Sequence, residues 1–118
     1  LDVTVKFTKT FEDGAQGFCY QGDDDRDFTI EVDHRLSRAT SKEEFIECLM
    51  HEMVHVWQGA TGRIKDKFRG GYKKLWKCKD GKYRNYLNTA YEKQPWEVQA
   101  YKMQGPLTKA FMEEYGVK

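Results

Sequence analysis

The chain has 118 residues, of which 39% are hydrophobic, 33% charged and 14% aromatic. That length suits one ordinary domain around one core, and the aromatic content excludes an intrinsically disordered chain. Twenty basic residues against 19 acidic ones leave a net charge of +1, so bulk charge selects no partner, and no apolar run approaches the length of a membrane span.

The chain opens at Leu1 without a signal-peptide pattern. Cys19, Cys48 and Cys78 are widely spaced and form no Cys-x-x-Cys pair, so they suggest neither a zinc ribbon nor a disulfide framework. Reduced thiols in a cytoplasmic protein are the simplest expectation.

Residues 3–9 place Val3, Val5 and Phe7 on alternate positions, a period that predicts a half-buried strand. A second strand is expected over 17–20. A third covers 28–33, with Phe28, Ile30 and Val32 alternating, and a turn-like acidic stretch at 22–27 separates these two. These elements predict a small antiparallel meander of three strands. Then the period changes. Ser41 followed by Glu44 forms a capping box, with Thr40 and Glu43 offering the same pattern one residue earlier. Ile46, Leu49, Met50, Met53 and Trp57 follow at helical spacing, and Gly59 and Gly62 supply a stop. A helix over about 41–58 is expected, with that stripe packed on the sheet.

Residues 63–84 hold ten basic residues against two acidic ones, Asp66 and Asp80, and are interrupted by Gly70, Gly71 and Gly81. They read as a loop or a partly helical insertion at about 59–90 within a single domain spanning 1–118. Pro95 suits the first turn of a second helix, ended by Gly105-Pro106, and a short final helix is expected over 107–115.

The chemistry lies in His51-Glu52-Met53-Val54-His55. Residues four apart share a helix face, so both imidazoles can address one ion. Glu52 is one position round from His51, where its carboxylate reaches the open side of that ion and can take a proton from metal-bound water. Catalytic zinc usually takes three protein ligands and a water. The candidates for the third are Glu97, Glu92, Asp66, Cys78 and the upstream His34. Glu97 leads, because it lies in the first turn of the second helix and completes a His, His, Glu set; a helix-start carboxylate favoured by the macrodipole is the plainer alternative. Tyr101, four residues on, shares its face and offers a phenol to a developing oxyanion, a weaker claim that Tyr91 shares. Cys48 reads as a packed small hydrophobe.

Two stretches, His51-Glu52-Met53-Val54-His55-Val56-Trp57-Gln58 and Pro95-Trp96-Glu97-Val98-Gln99-Ala100-Tyr101, resemble the SprT-like zinc metallopeptidases, in particular small phage-encoded ones. The likeness runs from about Val3 to Met103. It implies an α+β minimal zincin fold, in which a short three-stranded antiparallel sheet packs on the His-Glu-x-x-His helix and on a second ligand-bearing helix. It also implies His51 and His55 as zinc ligands and Glu52 as general base, in a host cytoplasm if the gene is a phage's. The chain departs from SprT-like domains in having no histidine after His55, and Glu97 is more like the third ligand of gluzincins.

The expected function is zinc-dependent hydrolysis of peptide or protein substrates, with the third strand, as a sheet edge, aligning an extended chain. A second class is nucleic-acid binding by segment 63–84, which combines eight net positive charges with Phe68, Tyr72, Trp76 and Tyr83. A third is a non-catalytic module stabilised by zinc, with Cys78 or His34 as a fourth ligand.

Overall fold

The computed structural model describes residues 2–8, 17–21, 26–33 and 42–116. Ser41, Thr40 and His34 therefore lie outside the described residues, and with them the capping box and one ligand candidate. The architecture is α+β.

The alternation of Phe28, Ile30 and Val32 makes the core: all three side chains are buried on one face of strand β3 (Asp27–Asp33). β3 is the centre of its sheet, not an edge. It pairs in parallel with β1 (Asp2–Thr8), in register Asp2 with Asp27, and antiparallel with β2 (Gly17–Gln21), in register Gly17 with Val32. The expected antiparallel meander is thus corrected to a mixed sheet of order β1-β3-β2. β3 takes the middle, where strands pair with both its edges and the helix that follows covers its apolar face. β1 is left outside, and Val3 and Val5 stay 36% and 43% exposed.

Helix α1 (Lys42–Ala60) packs on this sheet. Val56 joins the core with Phe28, Ile30 and Val32, and Phe45, Cys48, Leu49 and Met53 pack against them, so the sheet-facing stripe follows the helical repeat from Phe45 to Val56. The expected stripe is therefore rotated, and Trp57 is 44% exposed. It is rotated because α1 buries a second face against α2 (Pro95–Tyr115). Trp57 falls between the two.

The end of α1 assigns its glycines different jobs. Gly62 is left-handed at φ 74°, the Gly62 N–H donates to the Gly59 carbonyl at 3.2 Å, and the Arg63 N–H donates to the Gln58 carbonyl at 2.8 Å. This pair of bonds is a Schellman stop. Gly59 is still helical, and its lack of a side chain admits the Phe28 ring: a Cβ there would meet Phe28 Cε1 at 2.7 Å.

Residues 63–84 form neither a loop nor a helical insertion. They contain strands β4 (Ile64–Lys67) and β5 (Lys73–Lys77) and most of β6 (Tyr83–Asn85), a three-stranded antiparallel sheet in sequence order. The glycines that interrupt the sequence pattern sit in its turns, with φ of 77°, 103° and 82° at Gly70, Gly71 and Gly81. Trp76 is the buried anchor of this sheet, with the Arg63 guanidinium 4.8 Å above its ring.

α2 begins at Pro95 as expected but does not stop at Gly105-Pro106; one helix runs through to Tyr115. Proline removes one donor from an exposed turn, and the Thr108 hydroxyl donates to the Gln104 carbonyl at 2.7 Å just beyond it. No helix among the described residues is long and apolar enough to cross a membrane.

Candidate metal centre

The second buried face of α1 carries Glu47, His51, His55 and Gln58, spaced by four, four and three residues, and α2 answers with Glu97, Tyr101 and Gln104 on one face of its own. Where the two helices meet, Glu97 Oε1 lies 3.2 Å from His51 Nε2 and 2.6 Å from His55 Nε2. Glu52 is one position round from His51, toward the sheet. Its potential ligand atom and those of His51 and His55 all lie within 4.8 Å of one another, a group that could hold a metal ion.

Both imidazoles are held from behind. His51 Nδ1 is 2.7 Å from Gln104 Oε1, and His55 Nδ1 is 2.9 Å from Gln58 Oε1. A carbonyl oxygen only accepts, so each Nδ1 donates. The amide orientations are fixed in turn: Gln104 Nε2 donates to Glu47 Oε1 at 3.0 Å, while Gln58 Nε2 donates to the Trp96 carbonyl at 3.0 Å and to Gln99 Oε1 at 2.8 Å. Two Nε2 atoms and a carboxylate oxygen therefore converge, all of them electron-pair donors. Such a cluster is stable only with positive charge inside it, either protons on the rings or a metal ion.

The electrostatics agree with that crowding. Burial disfavours a charged His51, yet hydrogen bonds to Glu97 and Gln104 and the charges of Glu97 and Glu52 outweigh it and raise its pKa. Burial works against ionised Glu97 as well, but the two histidines and the nearby Tyr91 hydroxyl hold its carboxyl well below the usual range. Glu52 goes the other way: burial raises its pKa against the pull of His55 and His51, with Glu97 adding repulsion. Glu52 is only 6% exposed, and its Oε2 has no hydrogen-bond partner among the described residues. A buried oxygen with nothing to accept from is expensive. It fits a donor supplied by the site's occupant, such as a water on a bound metal.

Of the other predicted site residues, Tyr101 stands at the rim. It is 54% exposed, its ring packs edge-on to His51 at 4.6 Å, and its hydroxyl is 3.3 Å from that of Tyr91. The remaining ligand candidates among the described residues are engaged or exposed elsewhere. The Asp66 carboxylate accepts from Tyr72 at 2.8 Å, the Cys78 thiol contacts the Trp76 carbonyl and the Tyr86 hydroxyl, and Glu92 is exposed in a 3-10 turn over Tyr91–Lys93. Gln58 and Gln104, which bond the two imidazoles of the candidate site, are the residues that sequence reasoning missed. Gln58 had a signal, since it follows His55 by three on the same helix face; Gln104 had none while the helix was expected to end beside it. The chain matches no protein-family model, no curated protein and no solved structure.

Proposed function

We propose that the chain is a zinc-dependent peptidase built on a minimal zincin-like plan. The observation that carries this reading is the meeting of His51 Nε2, His55 Nε2 and Glu97 Oε1 beside a buried Glu52 Oε2 that has no hydrogen-bond partner among the described residues. Two imidazoles and a carboxylate form a donor set that suits zinc, and His51, His55 and Glu97 would hold it. Bound there, the metal would supply Lewis acidity and make a water nucleophilic near neutral pH.

The chain's own residues do the rest. Glu52 accepts the proton of the attacking water at Oε2 and returns it to the departing amine, and its burial makes it a stronger base than an exposed carboxylate. Gln58 and Gln104 keep each Nδ1 protonated and each Nε2 directed inward. The paired hydroxyls of Tyr101 and Tyr91 lie at the exposed rim, where a phenol can donate to the oxyanion of the tetrahedral intermediate. β2, the edge strand packed against α1 among the described residues, rather than the central β3, would align an extended substrate. Its Cys19 packs against the core that Val56 of α1 joins, one turn from Glu52.

Glu52→Gln tests the chemistry, because it preserves size and burial while abolishing basicity. The variant should retain wild-type metal content and melting temperature and lose roughly a hundredfold or more in peptide hydrolysis, the worth of a positioned base. Full activity in Glu52→Gln would remove the base assignment.

A further inference from the structure

Lys74 and Arg63 are cations that the second sheet holds against tryptophans rather than acids. Alternate residues of a strand share a face, so Lys74 and Trp76 of β5 project together, away from the side that carries Lys73 and Lys77. The Lys74 ammonium lies 4.5 Å from the Trp96 ring of α2, and the Arg63 guanidinium lies 4.8 Å from the Trp76 ring. Both cations are half-buried, both indoles are buried, and neither cation has an ion-pair partner among the described residues. Asp66 opposes Lys74 in the strand register, yet its carboxylate accepts from the Tyr72 hydroxyl at 2.8 Å. Arg63 Nε is buried and has no hydrogen-bond partner among the described residues. Burial strips such groups of water, and an indole face returns only part of that hydration. An anion brought from outside would supply the rest.

The place of Lys74 says which anion. Trp96, on which its ammonium rests, directly precedes Glu97, and the Trp96 carbonyl accepts from the Gln58 amide that orients His55. Lys74 also acts on β2: burial and then Glu52 push the Cys19 thiol up, while Lys74 pulls it down. β2 and α2 both pack on α1, with Glu52 between them, so a peptide crossing the centre along β2 runs between these two walls. Lys74 stands beside that path, at the N-terminal end of α2. Peptides carry one kind of fixed anion, the carboxylate.

We propose that Lys74, supported by the charge of Arg63, determines specificity by binding a carboxylate of the substrate, either an Asp or Glu side chain near the scissile bond or a free C-terminus. This rests on the peptidase reading of the centre. Trp96 already holds the ammonium in place, so little side-chain freedom is lost when a carboxylate arrives. Half-burial also leaves the pair less screened than one in open water.

The test is fluorescence anisotropy with a short labelled Ala-Ser peptide that contains one Glu, titrated with zinc-loaded Glu52→Gln protein so that bound peptide stays intact. Companion peptides carry Gln in place of Glu, and each is made with a free and an amidated C-terminus. A carboxylate should tighten binding roughly tenfold, and the pair that shows the gain, Glu against Gln or free against amidated, identifies its source. Adding Lys74→Met, whose stem can still cover Trp96, should erase the gain in a protein that remains folded by circular dichroism, and Lys74→Arg should retain it. Equal binding of all the peptides, binding of none, or a gain that survives Lys74→Met would overturn the proposal. Hydrolysis by the enzyme with Glu52 intact is followed in parallel. Carboxylate-selective binding that Lys74→Met abolishes, with no turnover of any peptide, would remove the peptidase reading alone.

Discussion

Gln58 and Gln104 show how much of the candidate metal centre lies behind the atoms that would face an ion. Each accepts from a histidine Nδ1 and spends its amide protons on the opposite side, so each locks one ring against a fixed frame. Replacing either by alanine should lower zinc affinity about 10- to 100-fold while the fold persists, measured by competition with a chromogenic chelator. Wild-type affinity in both variants would show that the rings need no such support. Cys19 and Cys48 probe the neighbouring packing. Burial, followed by the charge of Glu52, pushes their thiols up to about 12 and about 11. Thiolate is the reactive form, so in the folded protein both should resist iodoacetamide at pH 8 and label faster as pH rises. Rapid labelling of both at pH 8 would contradict the seating of β2 against α1.

Among the elements, the close approach of α1 to β3 is the most exposed to mutation. Gly59→Ala would press a methyl into the Phe28 ring, which is itself core, and should cost about 1–3 kcal/mol in urea unfolding. A neutral result would mean that Phe28 can swing aside. The same contact shows where sequence stops being informative. The strand at 28–33 and the helix with His51, Glu52 and His55 were legible, because burial on one face imposes its period on the residues. Glu97 was legible too, since Pro95 fixes the first helical turn and so the position of the carboxylate. Strand order was not, because alternation reports which face is covered and says nothing about which edge pairs; hence the parallel β1–β3 pairing was missed. The second sheet escaped notice because lysines supply most of its alternation, although Asp80-Gly81 is a hairpin signal. Gly105-Pro106 misled because a proline on an exposed helical turn can be carried by the packing on either side.

At the scale of the whole molecule, a near-neutral chain is sharply divided. Residues 63–84 hold ten of the 20 basic residues and two of the 19 acidic ones, so excess negative charge lies elsewhere. The candidate metal centre ties the structure together differently: its charged groups, which burial penalises, join α1 to α2. Metal removal should therefore loosen the helix pair. With free zinc at a hundred times its dissociation constant, binding would contribute about 2.7 kcal/mol. Chelation should then lower the melting temperature by on the order of 10 °C. A melting curve indifferent to chelator would mean that the pair needs no ion. The central claim is that His51, His55 and Glu97 hold one metal between the two helices, and native mass spectrometry of zinc-loaded protein tests it most directly. Wild type should carry a single zinc, which His51→Ala, His55→Ala and Glu97→Ala should each lose while remaining folded by circular dichroism. A wild-type protein that takes up no zinc, or a Glu97→Ala variant that holds it as firmly as wild type, would contradict the account.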